Sequence, residues 1–91
     1  MKEFLINIDN VFKIRSFASI SSKYNFDINL YSNGYFVNAK SIIGIFTLDL
    51  TKPVKLIVYA DDYEDYISQI KDFIVYENNK ELIIWLYIIS L

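Results

Sequence analysis

The chain of 91 residues contains no cysteine, no histidine, one proline and two glycines. Without thiols there is no disulfide framework, no cysteine nucleophile and no thiolate metal site. Without imidazole as well, the usual ligand set for zinc and other transition metals is missing, so no metal and no cofactor is expected. Gly34 and Gly44 are too few for a phosphate-cradling glycine loop, and no loop has the oxygen-rich pattern of a calcium site. Nine basic and eleven acidic residues give a net charge of −2. With no Lys/Arg run, a nucleic-acid footprint is not expected. No apolar stretch near Met1-Lys2-Glu3 resembles a secretion signal, and a cytoplasmic location is the expectation.

What remains is strongly apolar: 54% hydrophobic and 18% aromatic. A chain of this length builds one core and not two. Phe4-Leu5-Ile6-Asn7-Ile8 reads as a first strand. From Val11, the positions Val11, Ile14, Phe17, Ala18 and Ser21 follow helical spacing, with Lys13, Arg15, Ser16 and Ser19 opposite, and that helix is expected to end near Tyr24-Asn25. Phe26, Ile28 and Leu30 alternate with Asp27, Asn29 and Tyr31, as in a strand with one face on a core. Asn33-Gly34 fits a two-residue hairpin turn, so Tyr35-Phe36-Val37-Asn38 is expected to follow antiparallel. Ser41 is suited to cap a short helix from Ile42 to about Thr47.

Pro53 opens a further strand, Val54 to Tyr59. Asp61-Asp62 then begin a last helix, with Asp61 and Glu64 as a capping box and Tyr63, Tyr66, Ile67, Ile70, Phe73 and Ile74 as its buried stripe. The carboxylates Asp61, Asp62, Glu64 and Asp65 are read as first-turn dipole and cap residues, not as a catalytic pair. The eight tyrosines are read as packing residues with wet tips. The order β-α-β-β-α-β-α predicts an α+β domain: a four-stranded antiparallel sheet with three helices on one face. The other face is expected to be wetter, in keeping with Asp27, Asn29 and Lys55.

The expected domain spans residues 1–76, followed by an apolar extension at 77–91. Within it, Leu82 to Leu91 is about half the length of a membrane-crossing helix, so no transmembrane span is expected. It also lacks the polar face of an interfacial helix. It reads either as an extra element packed on the domain or as a surface for a partner or for self-association through 82–91; it also has the character of an aggregation-prone segment.

The stretch SNGYFVNAKSIIGIFTLDL, Ser32 to Leu50, resembles the centre of HPr, the small phosphocarrier of the bacterial sugar phosphotransferase system. The resemblance covers roughly Phe4 to Val75. It is strongest from Ser19 to Asp61, where SSKYNFDINL, the SNG turn, AKSIIGIFTLDLTKP and LIVYA each have a counterpart in order. It implies the HPr-like open-faced β-sandwich and a protein that is not an enzyme. In that family a Gly-x-His-x-Arg-Pro loop after the first strand carries phosphate on its histidine. Here the equivalent stretch is Asp9-Asn10-Val11-Phe12-Lys13-Ile14-Arg15, with neither His, Pro nor Gly. Asn10 falls near the histidine position, but an amide nitrogen has no basic lone pair and cannot form a phosphoramidate. Lys13 and Arg15 either contact a phosphate at the start of the helix or form a solvated face.

The resemblance gives Ser41 a second meaning. In HPr of low-GC Gram-positive bacteria the corresponding serine is phosphorylated by HPr kinase/phosphorylase, and the product assists a catabolite regulator. A paralogue without the histidine, the catabolite-repression HPr-like protein, keeps only this function. By that likeness the protein is a regulatory docking protein of the phosphotransferase system, phosphorylated on Ser41. Ile42, Ile43 and Phe46 would be its docking patch, and the kinase/phosphorylase or the regulator its partners. The alternative is a scaffold module with the same fold and no phosphotransfer role, in which Ser41 is only a cap and the three apolar residues belong to the core.

Overall fold

In the computed structural model, which describes residues 1–75, the turn at Asn33-Gly34 organises one end of the sheet. Both residues have positive φ, 51° and 85°, as a two-residue hairpin turn matching the strand twist requires. The turn joins β2 (Asp27–Ser32) to β3 (Tyr35–Asn38), paired from Ser32 with Tyr35 to Asn29 with Asn38. A Cβ at Gly34 would meet nothing within 4 Å, so only the backbone resists substitution there. Gly34→Ala is accordingly expected to lower stability by about 1–2 kcal/mol, read from the urea midpoint, with the denaturant slope unchanged.

Three further strands complete an antiparallel sheet of order β3-β2-β4-β1-β5. They are β1 (Lys2–Ile6), β4 (Val54–Tyr59) and the two-residue β5 (Ile74–Val75). The sheet thus has five strands where the sequence pattern predicts four. The first strand also runs two residues earlier than expected, and Pro53 explains why. Ile6 pairs with Val54, so the next partner in register is a proline with no N–H to donate. The Asn7 N–H turns instead to the Phe73 carbonyl at 2.8 Å, which steers the chain after Phe73 into β5 beside β1.

The helices are α1 (Val11–Ser21), α2 (Ile42–Ile45) and α3 (Glu64–Ile70), the last followed by a 3₁₀ turn at Lys71–Phe73. α1 stops three residues short of expectation. The Ser22 hydroxyl donates to the Ala18 carbonyl at 2.7 Å, competing with the helical ladder, and the next two amides bond three residues back to Ile20 and Ser21. The Asp61–Glu64 capping box is not formed. α3 begins later, after Tyr63, which makes no side-chain cap, and Glu64 and Asp65 occupy the first turn, where the dipole favours them. Of the stripe expected on that helix, Tyr66 and Ile70 are buried, whereas Phe73 and Ile74 lie beyond it, in the 3₁₀ turn and β5.

All three helices contribute to one core with the inner face of the sheet. Ile6, Ile28, Leu30, Leu56 and Val58 meet Ile14, Phe17, Ala18, Ile45, Tyr66 and Ile70. Val11 departs from the expected stripe and is exposed, because it stands in the first turn, outside that cluster. Ser21 and Tyr66 are joined across the core by a 2.7 Å hydrogen bond. Tyr66 also meets the rings of Tyr24 and Phe26 edge-on. The 77–91 extension lies outside the described residues.

Candidate functional site

Two helix starts form the region that the sequence marks. At the first, Asn10 is the N-cap of α1, and its side-chain carbonyl accepts the Lys13 N–H at 2.9 Å. Its amide therefore serves the helix. The Lys13 ammonium lies 3.1 Å from Asp9, and that hydrogen bond holds the exposed Asp9 carboxyl below its ordinary range. Lys13 is thus already engaged with an anion of this chain. Arg15, the other basic residue read as a phosphate contact, is exposed two residues further along α1.

At the second, Ser41 is the N-cap of α2, and its hydroxyl oxygen accepts the Gly44 N–H at 3.1 Å. The residue is half-buried, so the oxygen is neither sealed in the core nor free of structural work. A Cβ at position 44 would sit 3.4 Å from that oxygen, an ordinary van der Waals contact. The Thr47 hydroxyl closes the turn onto the Gly44 carbonyl at 2.6 Å.

The apolar residues of this turn divide sharply. Ile45 is fully buried, whereas Ile43 is 82% exposed, Phe46 51% and Ile42 39%. The turn is anchored by one isoleucine and presents the other three apolar side chains outward beside Ser41. The three are therefore not part of the core.

α1 packs against α2, and its first turn adds two residues that sequence reasoning missed as surface. Val11 is exposed, and Phe12 is 83% exposed. Helical spacing left Phe12 unassigned and placed Val11 on the buried stripe. An unplaced aromatic in the first turn was the one available signal. Among the described residues no group of His, Cys, Asp or Glu is disposed to hold a metal ion.

No family model matches the chain. Solved structures do. HPr-C-His from Thermoanaerobacter tengcongensis is 34% identical and superimposes with a TM-score of 0.67, over 79% of this chain and 89% of its own. That identity over nearly the whole of a relative decides the family. The chain belongs to the HPr family. Other members share the fold at lower identity. The histidine-containing phosphocarrier protein of Mycoplasma is 18% identical with a TM-score of 0.62, over 78% of this chain and 86% of its own. The Bacillus subtilis catabolite repression protein Crh, whose crystal structure is a domain-swapped, intertwined dimer, is 22% identical with a TM-score of 0.57, over 79% and 90%.

The HPr fold makes this a phosphocarrier-like protein, and the α+β architecture expected from the sequence is the one observed, with a fifth strand added. In this HPr-family chain the N-cap of α1 is an asparagine, and the sequence holds no histidine anywhere. No helix of the described residues is long and apolar enough to cross a membrane.

Proposed function

We propose that this HPr-family chain is a regulatory docking protein of the sugar phosphotransferase system, phosphorylated on Ser41 and unable to carry phosphate on α1. The observation that carries the reading is the arrangement at α2. A half-buried serine hydroxyl caps the turn, and Ile42, Ile43 and Phe46 stand exposed beside it. In phosphorylation the Ser41 oxygen attacks the γ-phosphorus of ATP, ADP leaves, and the hydroxyl proton passes to a base of the kinase. The ester oxygen keeps its place as acceptor for the Gly44 N–H, while two negative charges are added beside an apolar patch. A partner that reads both features then distinguishes the modified from the unmodified protein. For a phosphate at the start of α1, the other reading of these residues, Arg15 is exposed and Lys13 would first have to leave Asp9.

Incubation with HPr kinase/phosphorylase and labelled ATP tests this directly. Acid-stable label is expected on the wild type and none on Ser41→Ala. That variant also loses the cap and about 1 kcal/mol of stability, so circular dichroism must show it folded at the assay temperature. Absence of label on the folded wild type favours the scaffold reading, in which the Ser41 hydroxyl only holds the Gly44 N–H. Incubation with Enzyme I and labelled phosphoenolpyruvate is expected to leave no acid-labile label, because Asn10 offers no nucleophilic nitrogen.

A further inference from the structure

The sheet face opposite the helices carries an apolar band. Register places Val75, Leu5, Lys55, Tyr31 and Phe36 in one row across all five strands. In the next row stands Ile57, only 5% exposed although it lies outside the core cluster that the helices of the described residues share with the sheet. Tyr31 and Phe36 lie with ring centroids 4.7 Å apart. The Lys55 ammonium sits 5.6 Å above the Tyr31 ring and 3.9 Å from Glu3, so the one cation of the row is held to its neighbours. Together Glu3, Tyr31, Phe36, Lys55 and Ile57 line a shallow depression of about 280 Å³. Sequence alternation predicted a wet face here. Lys55 supplies it within the first row, Glu3, Asn29 and Asn38 flank Ile57 in its own row, and Asp27 lies one row further on.

From these observations we infer that the apolar band is the docking site of the chain's own segment Leu82–Leu91. The described chain ends at Val75, itself the first member of the row. Six residues, 76–81, then precede Leu82, and five of them are Glu, Asn or Lys, in the run Glu77-Asn78-Asn79-Lys80-Glu81. Six residues reach at most about 20 Å, and five strands spaced roughly 4.8 Å apart are about 19 Å across. The tether therefore lets the segment meet the band anywhere from β5 to Phe36. The segment LIIWLYIISL has no charged residue, matching a band whose one cation is already partnered. Competition decides between this segment and a second molecule. A short tether supplies the segment at an effective concentration on the order of millimolar, far above what another copy reaches at ordinary dilution. Covering the band turns the two-layer domain into one apolar on both sides of its sheet, and removes from solvent two surfaces that would otherwise associate.

Trp85, the chain's single tryptophan, lies in that segment and reports on it. In the full chain its emission is expected at short wavelength and unchanged on serial dilution. Tyr31→Lys with Phe36→Lys, two substitutions outside the core, is expected to shift the emission to longer wavelength while far-ultraviolet circular dichroism is retained. An independent measurement uses the absence of native cysteine. Phe36→Cys combined with Ile88→Cys is expected to give an intrachain disulfide on mild oxidation. Emission that ignores the double lysine variant, emission that changes with dilution, or a disulfide formed only between chains would each overturn the inference.

Discussion

Tyr66→Ala is expected to destabilise the domain by about 3–5 kcal/mol from the lost ring alone. Its phenol ring is fully buried and packed edge-on against Tyr24 and Phe26. Removing it also strips the Ser21 hydroxyl of its one partner among the described residues, at 0% exposure, and an unpaired buried hydroxyl costs about 1–3 kcal/mol more. A domain of this size has roughly 5–15 kcal/mol in total, so the variant should be largely unfolded at moderate urea. Tyr66→Phe isolates the polar part. It keeps the ring, loses only the hydrogen bond, and should cost about 1–3 kcal/mol. Ser21→Ala combined with Tyr66→Phe should be less destabilised than the sum of the two single changes, because the double variant leaves neither group unpaired. A strictly additive cycle would show that the two hydroxyls do not depend on one another.

The same pair fixes the direction of the alkaline response. Burial pushes the Tyr66 phenol well above its ordinary value near 10, more than its hydrogen bond with Ser21 lowers it. The folded state thus holds the proton more tightly than the unfolded state does. Its stabilisation is complete below pH 10 and is lost as pH rises through the alkaline range, by up to about 1.4 kcal/mol per pH unit. Tyr66→Phe should flatten that loss. Tyr24, whose phenol is raised chiefly by its 2.6 Å hydrogen bond to Asp65, acts in the same direction, and Tyr24→Phe separates the two.

Tyr66 also illustrates what the sequence holds and what it does not. Its burial and that of Ser21 were legible from helical spacing, but that the two meet, 45 residues apart on different helices, was not. Strands bounded by strong punctuation were legible residue for residue: β3 after Asn33-Gly34, and β4 after Pro53. The fifth strand was not. Phe73-Ile74-Val75 is as apolar as the helix before it, and only the Asn7 N–H seeking an acceptor beside a proline decides that the chain turns extended. At the candidate site the Ser41 cap could be read from Lys40-Ser41 before an apolar run. The run Ile42-Ile43-Gly44-Ile45-Phe46 could not be divided by composition. Which isoleucine anchors the turn depends on its rotational phase against the sheet, a tertiary fact.

That division makes the second large effect. Ile43→Asp is expected to weaken binding of HPr kinase/phosphorylase by about 30-fold, or roughly 2 kcal/mol, the loss typical of a central apolar contact. The folded state should be untouched, since the side chain is 82% exposed and a charge there meets water. Ile45→Asp, two residues on, should do the opposite. It places an unpaired carboxylate at a fully buried position, which costs several kcal/mol and unfolds the protein before any binding can be measured. Phe12→Asp extends the test across the helix boundary. If the first turn of α1 belongs to the same docking surface, it should weaken binding to a similar degree with no change in thermal midpoint. Full binding by Ile43→Asp and Phe12→Asp alike would remove the docking surface from this face of the molecule. A loss confined to Ile43→Asp would limit the surface to α2, with the exposed ring of Phe12 outside it. Calorimetric titration of each variant against the kinase, paired with its thermal midpoint, separates these outcomes, because a residue that acts only through folding moves both readings and a docking residue moves one.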